Sequence, residues 1–161
     1  MPEPGPPGNR LMKPSLPPEK GAYVLIMRCR KTGKTTVGRL GQMELHPGFY
    51  IYVGSARGPG GLLARVARHR RQAKKRHWHI DYLRRHTALI ETWTLTGETN
   101  REHEWALALA GPYENAHDRF GASDCRCPTH LFYSSVRPSP RDVKAMKCGA
   151  GERFEVHVLR G

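Results

Sequence analysis

The sequence lacks a long apolar run. No stretch of its 161 residues approaches the ~18 that a membrane span requires. It is also poor in cysteine, with four, too few for a disulfide scaffold. Acidic residues are scarce: 14 Asp and Glu stand against 27 Lys and Arg, a formal charge of +13. There is no internal repeat, and residues 1–18, lacking a long apolar run, are not expected to act as a signal peptide. What remains is enough for one ordinary domain, since 38% of the residues are hydrophobic and a disordered chain has fewer. The uncompensated charge points to a polyanion, and nucleic acid is the expected partner. No membrane partner is expected, because no long amphipathic face carries exposed aromatics. The expected location is cytoplasmic, beside the nucleoid in a bacterium.

Seven of the 13 prolines fall in residues 1–18. Residues 1–19 therefore read as a disordered Pro-rich tail, and 20–161 as the folded domain. Ala22 to Met27 is an apolar run bounded by turn chemistry and predicts a buried strand. Short strands are expected at 36–40 and 49–53, the latter with Tyr50 and Tyr52 on one face and Phe49, Ile51 and Val53 on the other. A glycine-rich loop over 54–61 precedes a helix from Leu62 to about Lys75, with Leu62, Leu63, Val66 and Ala67 facing inward. Further helices are expected at 79–85 and 100–110, strands at 89–95, 131–135 and 154–159, and a short helix from Ser139 to about Met146. Helices inserted among antiparallel strands define an α+β fold.

Charge concentrates between Arg57 and His86, where ten cations meet one anion, Asp81. Such a helix suits phosphates, each of which releases counterions when neutralised. Arg57, Arg68, Arg71, Lys74, Lys75 and Arg76 are the expected nucleic-acid contacts. Trp78 and Tyr82, lying among them, read as core aromatics before base-stacking ones. Asp81 reads as a structural ion-pair partner of Arg84 or Arg85, before a role in orienting His79 or His77. Polar groups of catalytic type also gather. Tyr52 leaves a strand just before Gly54-Ser55-Ala56, Arg65 and His69 share a helix face, and Glu102 and Glu104 open a later helix. Such a set suits phosphodiester hydrolysis.

These segments resemble the GIY-YIG nuclease superfamily. Gly21-Ala22-Tyr23 opens the first strand and Tyr52-Val53-Gly54 closes the third. A small branch found beside or fused to DNA-repair enzymes is more similar still. Its blocks correspond here to Tyr52 to Ala56, Gly60 to Leu62, Trp78 to Leu83, and Phe120 to His130. The resemblance spans roughly Lys20 to Ser135. It implies a small α+β domain on a three-stranded antiparallel sheet that cuts DNA with one divalent cation, Mg²⁺ or Mn²⁺. It implies Tyr23 or Tyr52 as general base, Arg65 as electrostatic stabiliser and His69 as a positioning group. Glu104 is the implied metal carboxylate, with Glu102 as fallback. The gap between the tyrosines is longer than in compact members, so an extra strand must fit there. A DNA-repair enzyme is the implied protein partner, and RNA is an alternative ligand to DNA. The rival function is a DNA- or RNA-binding module that does not cut.

Asp124 to His130 holds Cys125, Cys127 and His130. Its spacing is not that of a standard zinc finger, which usually opens Cys-x₂-Cys. Packing of the cysteines as small hydrophobes is the first reading. The second is a structural zinc on Cys125, Cys127 and His130, with His77, His79, Cys29 or Cys148 as the fourth ligand, and direct use in the active site is the third.

Overall fold

A computed structural model of the chain describes residues 16–71, 75, 78–143 and 148–159. Strands β1 (Gly21–Cys29), β4 (Gly48–Ala56), β5 (Ala88–Thr96), β6 (Glu114–Asn115), β7 (Leu131–Ser134) and β8 (Arg153–Val158) form one sheet in the order β6-β7-β4-β1-β5-β8. Every pairing in it is antiparallel. The sheet thus has six strands where the resemblance implies three. Its longest members, β4, β1 and β5, adjoin. Helices α1 (Gly61–Arg70), α2 (His79–Arg84) and α3 (Glu102–Leu109) complete an α+β fold.

β1 reads as an unbroken apolar run because both of its faces are covered. Ala22, Val24 and Ile26 enter one core with Ile51, Val53, Trp93, Trp105 and Leu109, under α3. Tyr23, Leu25 and Met27 enter the other with Tyr50, Tyr52, Leu62, Val66, Ile80 and Leu83, under α1 and α2. The alternation expected for β4 is the one observed. The long gap between Tyr23 and Tyr52 holds a separate hairpin, β2 (Gly33–Thr36) and β3 (Gln42–Leu45), whose Met43 and Leu45 close the second core. The strand expected at 36–40 is instead the end of β2 followed by a 3₁₀ turn over Gly38–Leu40. Gly38 and Gly41 sit at φ +46° and +84°, a backbone that suits a turn and not a ladder.

α1 ends at Arg70, earlier than expected, and its inward face is Leu62, Val66 and His69. Leu63 is half exposed and Ala67 lies outside. The spacing i, i+4, i+7 defines one stripe, and a polar histidine completes it. The helix start is covered by chain assigned to the tail. Leu62 N–H donates to Glu19 O and Leu63 N–H to Pro17 O, each at 2.9 Å, satisfying two of the donors that a helix N-terminus leaves open. Leu16 packs on the second core, so residues 16–19 belong to the fold, while 1–15 lie outside the described residues. At the other end of α1, buried Arg84 donates to His69 O (2.8 Å) and Arg70 O (3.5 Å). It is a cation placed where the helix carbonyls are unpaired. The helix expected after Ser139 is a 3₁₀ turn over Pro140–Asp142, with Ser139 Oγ accepting from Arg141 N–H (3.3 Å). Residues 144–147 lie outside the described ones.

Candidate active site

Tyr23 on β1 pairs in register with Gly54 on β4, and Leu25 pairs with Tyr52. The two tyrosines are therefore diagonal neighbours on one face, with ring centroids 6.5 Å apart. The Tyr-Val-Gly order at the end of β4 has a steric cause. A Cβ on Gly54 would lie 2.4 Å from the Tyr23 hydroxyl, so the ring of Tyr23 crosses β4 only because position 54 has no side chain. Gly121, at φ +68°, likewise gives way to the ring of Tyr52.

α1 lays Arg65 and His69 over this pair. Tyr23 Oη and His69 Nε2 are 2.8 Å apart, and the His69 ring is 6.2 Å from that of Tyr52. His69 is fully buried. Arg65 is fixed by donation from Nη1 to Ser55 O (2.8 Å) at the end of β4. Its guanidinium lies 4.8 Å from the ring centre of Trp78, with Arg68 on the same ring at 4.0 Å. Trp78 is 37% exposed. It is not the core residue expected, because cation–π contact with two guanidiniums holds its faces outside the apolar interior. Tyr82 is only partly buried.

Burial raises the pKa of both phenols. For Tyr23, burial outweighs the opposing pull of the nearby Arg65 guanidinium. For Tyr52, burial is reinforced by neighbouring Tyr23. Neither is a phenolate at neutral pH. Because both folded values exceed the ordinary 10.0, folding retains protons that the unfolded chain releases above that pH. The stability they contribute is whole below about pH 10 and lost as pH rises past it. Urea midpoints should fall between about pH 9 and about pH 11, less steeply in Tyr23→Phe. Equal slopes would contradict the assignment.

The carboxylates separate by helix geometry. Two residues apart on a helix is ~200° of rotation, so Glu102 and Glu104 point to different sides. Glu104 has a side chain 47% exposed, paired with Arg101 at 2.7 Å. It is not part of the tyrosine site, against the expectation. Glu102 is 19% exposed, with Oε2 at 3.1 Å from His130 Nδ1. The carbonyl of His130 accepts from Val53 N–H (3.0 Å), beside Tyr52. The charge of Glu102 is among those that push both phenols upward. Its charge reaches them although α3 packs on the other face of the sheet, and its direct contact is with His130.

The expected phosphate contacts divide. Arg68 is taken up by the fold, donating to Asp81 Oδ1 and Oδ2 at 2.8 Å each. Asp81 was the lone anion of the segment, and it answers this one guanidinium. Arg57 donates to Glu98 O (2.6 Å). Arg71 and Lys75 are exposed, and Lys74 and Arg76 lie outside the described residues. The set His103, Cys125, Cys127 and His130 also converges, with its ligand atoms all within 4.8 Å of one another. His103 comes from α3, and no local spacing in the sequence links it to the cysteines. Of the fourth ligands considered, His79 is committed elsewhere, its Nδ1 accepting from Gly121 N–H (2.8 Å). Cys29 and Cys148 are not in the set, and His77 lies outside the described residues.

The fold and site define an antiparallel α+β domain whose sheet presents a buried Tyr–His–Tyr cluster under an arginine-bearing helix. The chain belongs to the family described as Domain of unknown function DUF123, whose model matches residues 22–150. No curated protein and no solved structure matches it. Among the described residues no helix is long and apolar enough to cross a membrane.

Proposed function

We propose that this domain is a metal-dependent DNA endonuclease of the GIY-YIG type, acting in DNA repair or processing. What supports this reading most is the Tyr23 Oη to His69 Nε2 contact of 2.8 Å, formed beside Tyr52 and Arg65. A buried phenol is a poor base alone. Paired with an imidazole it need not ionise. In the tautomer protonated at Nδ1, His69 accepts the phenol proton at Nε2 as Tyr23 Oη takes one from water. The water oxygen bonds to phosphorus, one P–O ester bond breaks, and the leaving oxygen is protonated from solvent. Arg65 offsets the charge that grows on the phosphate.

Glu102 is the residue that would hold Mg²⁺ or Mn²⁺. One carboxylate with phosphate oxygens suits these hard cations. When bound, the cation polarises the phosphoryl oxygens as a Lewis acid. Exposed Arg71 and Lys75 lie on the DNA side of this reading, and RNA is a weaker alternative ligand.

Supercoiled plasmid incubated with Mg²⁺ or Mn²⁺, against an EDTA control, tests the reading. Nicking that EDTA abolishes is the expected result. A mobility shift without nicking would overturn it in favour of a DNA- or RNA-binding module of the same fold.

A further inference from the structure

We propose that His103, Cys125, Cys127 and His130 form a closed zinc site. Two thiols and two imidazoles are the donors that structural zinc takes, four in number and tetrahedral. The bond lengths of such a site, ~2.3 Å to sulfur and ~2.0–2.1 Å to nitrogen, place its ligand atoms about 3.4–3.8 Å apart. Cys125 Sγ and His130 Nε2 are already 3.5 Å apart. All four donor atoms lie within 4.8 Å of one another, so a contraction of about 1 Å closes the set.

The loop is shaped for this before any ion arrives. Arg119, in the left-handed region at φ +63°, donates to Cys125 O and Cys127 O at 2.7 Å each. His130 N–H donates to Phe120 O (2.8 Å). Three ligands are thereby held by one clamp, and the fourth comes from α3. The orientation of His130 is a separate sign. Its Nε2 faces the thiol of Cys125, while its buried Nδ1 lies 3.1 Å from the Glu102 carboxylate without forming a hydrogen bond to it. Carboxylate, imidazole and metal in that order is the arrangement that fixes the tautomer of a zinc-bound histidine. Because all four positions belong to protein, the ion activates no water. It joins α3, which carries Glu102, to the 119–130 loop, which brings Gly121 against the ring of Tyr52.

This assignment does not depend on DNA cleavage and is read without DNA. The full chain, purified without chelator, is analysed for metal and then for cobalt uptake. About one equivalent of zinc per chain is expected, lost in both Cys125→Ser and Cys127→Ser. Cobalt exchange should give the visible d–d bands of a tetrahedral thiolate site, and a strong chelator should lower the melting temperature of the wild type. The cobalt spectrum of the wild type reads the site even where the serine variants do not fold. Zinc below about a tenth of an equivalent together with no cobalt spectrum, or a Cys125–Cys127 disulfide in the purified chain, would overturn the proposal.

Discussion

Exchanging Glu102 for Gln should slow metal-dependent plasmid nicking by about 10²–10⁴-fold, the usual cost of removing a positioned catalytic group, while DNA binding persists. The same exchange at Glu104 should leave the rate unchanged. The contrast follows from the two environments. Glu102 is mostly shielded, touches His130 and acts on both phenols. Glu104 is an exposed partner of Arg101, which also donates to Glu152 at 2.9 and 3.1 Å. Gln keeps the shape of the side chain and removes the charge that a divalent cation needs. Initial rates of both variants on one plasmid at one metal concentration make the comparison. Loss of nicking in Glu104→Gln with retention in Glu102→Gln would reverse the assignment. Zinc content, measured alongside, separates loss of the catalytic cation from damage to the neighbouring His130.

The largest effect on stability is expected at Asp81. Its carboxylate is wholly buried, accepts both bonds from Arg68, and also accepts from Trp78 N–H (2.9 Å). Asp81→Ala leaves a mostly shielded guanidinium and a backbone N–H without their partner. Breaking a buried pair from one side costs about 3–5 kcal/mol, a large share of the ~5–15 kcal/mol of a typical domain. Removing both charges, in Asp81→Leu with Arg68→Met, should recover much of the loss, because the double exchange leaves no unpaired ion. Urea midpoints of the two variants decide it. If the double variant is no more stable than Asp81→Ala, stacking of the Arg68 guanidinium on Trp78, and not the ion pair, carries the effect.

The sheet was legible where one element set its own pattern. β1 announced itself as a run with no polar break, and β4 by the alternation of Tyr50 and Tyr52 with Phe49, Ile51 and Val53. What the sequence hid were choices made between elements. His69 occupies a core position of α1, yet polar residues surround it in sequence, so hydrophobicity alone puts the helical stripe through Leu63 and Ala67. Arg68 looked like any other cation of its segment. Only the return of the chain at α2 brings Asp81 against it. β6 has two residues and β3 four, too few for a period to emerge.

The spacing within α3 does carry a signal. Glu102, Ala106 and Leu109 share a stripe by their spacing, and the latter two are buried. A helical projection of α3 therefore favours Glu102 over Glu104. No such pattern could have shown that His103 meets the cysteines, since that contact joins segments more than twenty residues apart.

The crossing of Tyr23 over Gly54 ties two distant codons together. A methyl at position 54 and a phenol at position 23 exclude each other, so neither site can drift alone. A lineage that lost the tyrosine would be released to fill position 54, and the glycine would then cease to be required.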